Sequence, residues 1–165
     1  MTDALVRPPV EFERTSCACT GCTRYCTQHP GYLIPSDLFR IADHLVATGQ
    51  VTETKYVMDY IRASKGAVVG RDDGRRFRIG TITPRMENGR CVFLTEDNRC
   101  GIHAVSPYGC AYFSSHDDPA EADIRSLWGL RLIAETPAYE QARQVLIKRD
   151  GGAAEPFTPT KEDPK

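Results

Sequence analysis

Residues 17–26 read CACTGCTRYC, which places four cysteines within ten positions. The remaining three cysteines come later, in CVFLTEDNRCGIHAVSPYGC at residues 91–110. Thiolates this close in sequence can turn toward one metal, and a second group from a distant segment can close the site, so that metal binding and folding occur together. The spacing therefore predicts a metal centre that both groups share. Its candidate ligands are Cys17, Cys19, Cys22, Cys26, Cys91, Cys100 and Cys110.

Two other roles for the cysteines are open. A disulfide framework is disfavoured because the cysteine count of seven is odd and the opening MTDALVRPPVEFERTS lacks the apolar segment of a secretory signal. Inert core thiols could account for one or two of them, but the first group lies among polar, loop-forming residues. No run approaches the roughly 18 apolar residues of a membrane span. We therefore expect a cytoplasmic protein with reduced thiols and no membrane association.

The charge is balanced overall but unevenly distributed. The chain has 21 basic and 22 acidic residues and a net charge of −1, so no overall field favours nucleic acid or an anionic membrane. The segment Arg62–Arg90 is nevertheless basic, whereas 117–140 is acidic. Such a basic segment is most often a solvated surface, and it could instead dock an acidic partner or a phosphate-bearing ligand. We expect an acidic protein partner or redox partner, and no nucleic acid.

The hydrophobic pattern predicts one α+β domain, mostly helical, with a short β-hairpin and a cysteine-rich loop that close around the metal. Residues 1–14 are predicted to be a flexible arm, 15–150 the single domain and 151–165 a disordered tail. The cysteine loop is predicted to run over 15–32. Ser36 fits the N-cap of a helix that ends at Gly49, and Thr52 opens a second helix that ends at Gly66.

The second half of the chain changes from strands to helices. Arg76–Thr83 alternates like a half-buried strand, and Asn88-Gly89 marks a turn. A hairpin with a tight turn over Thr95–Arg99 is predicted to carry Cys91 and Cys100 on its two arms or at its mouth, and a Pro-interrupted segment to deliver Cys110. Asp118-Pro119 and Thr136-Pro137 are helix starts. The first of these helices is predicted to bury a stripe formed by Ile124, Leu127, Trp128 and Arg131.

The cysteine spacing limits the kind of metal. One C-x2-C knuckle is present, at Cys19 and Cys22, but the later gaps do not make a zinc ribbon. The first group is close to the bacterial ferredoxin pattern without matching it. Four-sulfur ligation suits either zinc or a [4Fe–4S] cluster, and the spacing leaves both open. His29 and His103 lie three residues beyond a cysteine and could add nitrogen ligands, whereas Tyr108 and Tyr112 could wall off the metal or pack in the core.

Three segments resemble a known family. CACTGCTRYC, then GYLIPSDLFRIADHL, then CVFLTEDNRCGIHAVSPYGCAYF are similar to the CxxCxxCC family, the YkgJ-type proteins described as zinc- or iron-chelating and often labelled Fe–S oxidoreductases. The resemblance covers about residues 15–115. The later segment carries it most specifically, through Cys91, Phe93, Leu94, Cys100, Ile102, Pro107, Cys110 and Phe113. The chain departs from the family at Tyr25-Cys26, where an adjacent cysteine pair is usual, and at His103, where tyrosine is usual.

The resemblance implies an iron–sulfur protein, because the same cysteine module occurs in a flagellin lysine methylase family associated with such a cluster. Our leading hypothesis is a [4Fe–4S] cluster with Cys19, Cys22, Cys91 and Cys110 as core ligands. Cys17, Cys26 and Cys100 would then be alternates or donors to a second site. The protein's task would be electron transfer or maturation of a partner. The alternatives are a structural zinc module that mediates protein interaction, and a metal-dependent enzyme whose substrate the sequence does not name.

Overall fold

The α+β class is confirmed by a computed structural model, which describes residues 23–70, 73–113 and 118–152. The predicted arm, the tail beyond 152 and Cys17, Cys19 and Cys22 lie outside these residues. The helices are α1 (Thr23–Gln28), α2 (Pro35–Ala47), α3 (Tyr108–Ala111), α4 (Pro119–Ala134) and α5 (Pro137–Arg149), with 3-10 helices at Thr54–Tyr60 and His103–Val105. The strands are β1 (Ile61–Gly70), β2 (Arg76–Pro84), β3 (Met86–Glu87) and β4 (Arg90–Cys91).

Strand β1 corrects the prediction of a second helix over 52–66. Only Thr54–Tyr60 is helical, as a 3-10 helix, and the chain then extends to pair with β2 from Ile61↔Pro84 to Gly70↔Arg76. A bulge lies where Gly66 has a φ of 76°, a conformation that glycine adopts without a steric penalty. The helical spacing was misleading because a partner strand, which local periodicity does not report, satisfies this backbone instead. The predicted strand over 76–83 is confirmed.

The structure has a turn at both of the places where the sequence predicts one, Asn88-Gly89 and 95–99. Asn88 and Gly89 have φ values of 51° and 73°, as a two-residue turn of the I′ type requires, and they join β3 to β4. Cys91 pairs with Met86 in this small sheet, whereas Cys100 forms a separate bridge with Leu94. The N–H of Thr95 donates to the carbonyl of Arg99 at 2.8 Å, so the predicted turn between Cys91 and Cys100 is confirmed, with Cys91 paired on its other side to β3.

The first helices begin at positions the sequence did not indicate. Residues 23–28, predicted to be loop, form α1. Helix α2 has Ile34 at its N-cap position, so Ser36 lies inside the first turn. Its end is as predicted, because Gly49 follows with a φ of 73°. Proline at Pro35 suits the first helical position, where no N–H is needed.

Helix α4 starts as predicted but buries another face. The side chain of Asp118 caps it by accepting the N–H of Ala120 at 2.9 Å. The predicted stripe is wrong, since Ile124 is 60% and Leu127 50% exposed, and the side chain of Arg131 also faces solvent. Only Trp128 of that set packs partly against the core. The C-terminal half of α4 contacts β2 and α5, and it buries Gly129, Leu130, Leu132 and Ile133.

The main core lies between α2, the β1–β2 hairpin and α5. It is built around Leu33, Ile41, Ile82, Tyr139 and Leu146, each at most 1% exposed. The Tyr139 hydroxyl completes the pairing of Leu33 with Ile82, because it accepts the N–H of Ile82 at 2.7 Å and donates to the carbonyl of Leu33 at 2.6 Å.

A second, smaller core packs α3 against α4, and Tyr108 and Tyr112 belong to it. No helix within the described ranges is long and apolar enough to cross a membrane.

Candidate metal centre

Four cysteines from four parts of the chain line one cavity of about 50 Å³. Cys26 lies in α1, Cys91 ends β4, Cys100 follows the turn after β4, and Cys110 lies in α3. None of the four forms a disulfide bond within the described part of the chain. The cavity thus brings one member of the first cysteine group together with all three of the second. Whether Cys17, Cys19 and Cys22 join them stays a prediction, since those residues lie outside the described part of the chain.

The rest of the cavity wall is mostly apolar. Pro30, Phe93, Ile102 and Phe113 line it, with Tyr25, Gly109 and the polar side chains of His103 and Ser106. The lining contains no carboxylate among the described residues, so the available donors are thiols and one imidazole. Sulfur and imidazole donors select zinc, copper(I) or iron–sulfur centres over magnesium or calcium. The walls also keep the donors in surroundings of low polarity, which strengthens electrostatic interactions with a bound cation.

A crossing of two glycines places Cys110 beside the N-terminal segment. The N–H of Gly31 donates to Sγ of Cys110 at 3.2 Å, and the N–H of Gly109 donates to the carbonyl of Tyr32 at 2.9 Å. A Cβ at Gly31 would overlap the backbone of Gly109, and a Cβ at Gly109 would overlap the N–H of Tyr32. Glycine is therefore needed at both positions for the backbones to approach this closely. The crossing holds the segment after α1, and with it Cys26, against α3.

A compact turn presents Cys91 and Cys100. The N–H of Leu94 donates to the carbonyl of Cys91 at 2.9 Å, and Leu94 pairs with Cys100 across the turn. The N–H of Gly101 donates to the carbonyl of Phe93 at 2.7 Å. These backbone bonds fix Cys91 and Cys100 near each other although neither lies on a long strand.

Burial raises the pKa of the Cys91 and Cys110 thiols and so favours their protonated form in the absence of a metal. Desolvation raises the pKa of Cys91 to about 11, and proximity to Cys26 and Cys100 adds to the effect against the opposing backbone hydrogen bond from Phe93. Desolvation likewise raises the pKa of Cys110 well above its usual range, although the Gly31 N–H lowers it. A metal must therefore displace protons as it binds, because thiolates are the ligands.

The donor set fits a thiophilic metal, but the described side chains do not form a closed site. Across 23–70, 73–113 and 118–152, no three His, Cys, Asp or Glu side chains lie close enough together to hold a metal ion. The four thiols line the same cavity, and a side chain with a single rotatable bond before its sulfur can reorient within it. The cavity exceeds the roughly 10–15 Å³ that a single water requires. The chemistry of the lining fits zinc or iron.

The histidines and tyrosines separate into lining and non-lining residues. His103 lines the cavity, whereas His29 is exposed and is not among the lining residues. His116, to which the sequence assigns no role, falls outside the described ranges. Tyr108 is fully buried in the second core and takes the packing role.

Sequence reasoning missed Asp37, Gly31 and Gly109. Asp37 is fully buried, and its carboxylate accepts the N–H of Tyr108, close to Cys110. The sequence feature that could have indicated Asp37 is its position two residues after Pro35, the proline that starts α2. Pro30-Gly31 is a turn signal in the sequence, whereas no local pattern marks Gly109, and only the tertiary structure shows that the two glycines meet.

A comparison with protein families matches residues 18–129 to CxxCxxCC, described as a putative zinc- or iron-chelating domain. The matched span includes all four cavity cysteines and Asp37. Searches of curated proteins and of solved structures returned no similar protein.

Proposed function

Since the chain belongs to the CxxCxxCC family of zinc- or iron-chelating domains, we propose that it is an iron–sulfur protein whose centre lies in the four-cysteine cavity. The observation that carries the proposal is the convergence of Cys26, Cys91, Cys100 and Cys110 on one apolar cavity. Four thiolates are the ligand set of a [4Fe–4S] cluster. An apolar wall is one of the means by which a protein sets the reduction potential of such a centre. We propose electron transfer, or maturation of a partner, as its task.

The residues present define what the protein would contribute. Cys26, Cys91, Cys100 and Cys110 would supply thiolates, and the first-group cysteines at 17, 19 and 22 are further donors. A bound cluster supplies one-electron redox chemistry. Phe93, Ile102 and Phe113 would limit water at the centre. The N–H of Gly31 already donates to Sγ of Cys110, the type of hydrogen bond to sulfur that tunes cluster potentials.

A specific observation also favours a second candidate, a structural zinc site. The cavity of about 50 Å³ is small, and His103 lines it beside the cysteines. Three cysteines and one histidine form a common tetrahedral zinc site. In that role the metal would fasten α1, α3 and the turn after β4 without taking part in redox chemistry.

Metal analysis of anaerobically purified protein separates the two candidates. An iron–sulfur protein should be brown and should release acid-labile sulfide, with about four iron and four sulfide per chain for a [4Fe–4S] cluster. Colourless protein with one zinc per chain would refute the iron–sulfur proposal and support the zinc site.

Two histidine variants refine the comparison. His103→Ala should weaken zinc binding if His103 is a ligand, whereas the exposed His29 is a matched control whose change to alanine should leave the metal content unchanged.

The basic segment Arg62–Arg90 supports the further proposal of an acidic protein partner. It forms the β1–β2 hairpin, and Arg75 and Arg76 are exposed at its far end. Charged residues at the rim of an interface mainly increase the rate at which two proteins associate, and this effect weakens as the salt concentration rises. Replacing Arg75, Arg76 and Arg78 by glutamine should therefore weaken a salt-sensitive complex with the partner. A complex whose affinity changes neither with salt concentration nor with these substitutions would contradict the proposal.

A further inference from the structure

Asp37 carries a charge in the interior of the protein. The residue is 0% exposed, and its Oδ1 accepts from Nη2 of Arg40 at 2.7 Å. Its Oδ2 accepts two backbone amides, the N–H of Ile34 at 3.0 Å and the N–H of Tyr108 at 2.7 Å. A buried carboxylate is costly unless it is paired and hydrogen-bonded. These three donors offset part of the cost of burying the carboxylate.

The two amides belong to the starts of two different helices. Ile34 is the N-cap residue of α2, and Asp37, three residues later, accepts its N–H in the manner of the acidic residue of a capping box. Tyr108 is the first residue of α3, whose N-cap position is occupied by Pro107. Proline has no side-chain acceptor, so the first amide of α3 depends on Asp37, which is 71 residues away in sequence. We call Asp37 the shared cap.

The shared cap lies one short helix away from the cavity. Helix α3 has only four residues, 108–111, and Cys110 is the third. The guanidinium of Arg40 also reaches the carbonyl of Ser106 at 3.4 Å, so α2 contacts the chain on both sides of Pro107. A helix of one turn has no stability of its own. Its orientation, and hence the direction of the Cys110 thiol, must come from such contacts.

We propose that Asp37 is a positioning residue of the metal centre: by capping α3 from α2, it holds Sγ of Cys110 in the cavity and against the Gly31 N–H. Asp37 is not a ligand. The inference rests on the proposed function, because it assigns to Asp37 a role at that same centre.

A purely structural cap makes a different prediction from a positioning residue. Loss of general stability would increase amide exchange throughout the core. Loss of positioning would act first on the Gly31 amide, which donates to Sγ of Cys110 at 3.2 Å. The Ile82 amide is the internal reference, since it is buried and donates to the Tyr139 hydroxyl of α5 and not to Asp37 or to Cys110.

The test compares Asp37→Ala and Asp37→Asn with wild type. Asp43 is the matched control, because it is an exposed carboxylate on the same helix α2, and Asp43→Ala should change nothing. Residue-resolved amide exchange is measured by NMR on the metal-free protein. Zn²⁺ affinity is measured by competition with a chelator. Asparagine keeps one carbonyl oxygen for the two amides, so it is the milder change and is expected to fold if alanine does not.

In Asp37→Ala, exchange at Gly31 should increase by roughly tenfold to a hundredfold relative to Ile82, the range set by losing a hydrogen bond to a charged group. Zn²⁺ affinity should fall by a similar factor, and Asp37→Asn should show both effects in smaller measure. Equal acceleration at Gly31 and Ile82, or no change at Gly31, would overturn the proposal. If Asp37→Ala does not fold, the same comparison in Asp37→Asn decides.

Failure of the proposed function gives a different result. A wild-type protein that takes up neither iron nor zinc would refute the metal centre. The Gly31 exchange rate would still show whether Asp37 positions Cys110, because that measurement needs no metal.

Discussion

Replacing Gly31 by alanine tests how the cavity is assembled. Gly31 has no positive φ, so alanine causes no backbone strain there, and the perturbation is purely steric. Its Cβ would overlap the carbonyl carbon and oxygen of Gly109 and the amide of Cys110. These are backbone atoms that cannot rotate away. The two segments must therefore separate until the distance reaches at least the 3.4 Å of ordinary van der Waals packing.

The cost has a steric part and a hydrogen-bonding part. Overpacking of this kind costs about 1–3 kcal/mol, and separation also breaks two hydrogen bonds of about 0.5–1.5 kcal/mol each. These bonds run from the Gly31 N–H to Cys110 Sγ and from the Gly109 N–H to the Tyr32 carbonyl. The expected loss is about 2–6 kcal/mol, which for a chain of this size lowers Tm by about 5–20 °C. The same movement withdraws Cys110 from the cavity, so metal content should fall as well.

Calorimetry or thermal circular dichroism gives the Tm, and elemental analysis gives the metal per chain. Gly70→Ala is the matched control, since a Cβ at Gly70 would meet nothing within 4 Å, and its stability should change by less than about 0.5 kcal/mol. A Gly31→Ala protein with the Tm and metal content of wild type would show that the crossing does not hold the site together.

Three further predictions test the fold and the site. Tyr139→Phe leaves the buried N–H of Ile82 and the buried carbonyl of Leu33 without the Tyr139 hydroxyl. It should lower the free energy of unfolding, measured by urea titration, by about 2–4 kcal/mol. Tyr56→Phe, at a ring that is more exposed, is the control and should have no effect. Cys110→Ser should lower both the metal content and the Tm, since site and fold form together. A variant with wild-type metal content and Tm would show that the two cysteine groups do not share a centre. Leu130→Ala should lower the free energy of unfolding by about 2–5 kcal/mol and Ile124→Ala by less than about 0.5 kcal/mol. The reverse order would show that α4 buries the face predicted from the sequence.

Sequence patterns predicted those features whose cause is local. The start of α4 at Asp118-Pro119 depends on a side chain that caps its own helix, and the turn at Asn88-Gly89 depends on two residues that tolerate positive φ. The segment 76–83 likewise forms a strand, although its burial increases from exposed Arg76 to buried Pro84 and does not alternate. Each signal and its structural cause lie within a few residues, so the sequence alone was enough. The grouping of the cysteines by itself also indicated metal binding, because thiols clustered among polar residues have little other use.

Other features depended on contacts between distant segments. Residues 61–66 carry a helical spacing but form the first part of β1, because β2 supplies a hydrogen-bonding partner for their backbone. The packing of β2 and α5 against α4 decides which of its apolar residues are buried: Leu130, Leu132 and Ile133 are, whereas Ile124 and Leu127 are exposed.

The composition of the cavity was also a tertiary outcome. The leading hypothesis takes Cys19 and Cys22 as first-group ligands, and both lie outside the described residues; within those residues, Cys26 lines the same cavity as Cys110. That placement depends on two glycine backbones that cross and on the Asp37 carboxylate that bonds an amide 71 residues away. Such contacts have no local pattern, because steric fit and a buried hydrogen bond exist only once both segments have come together.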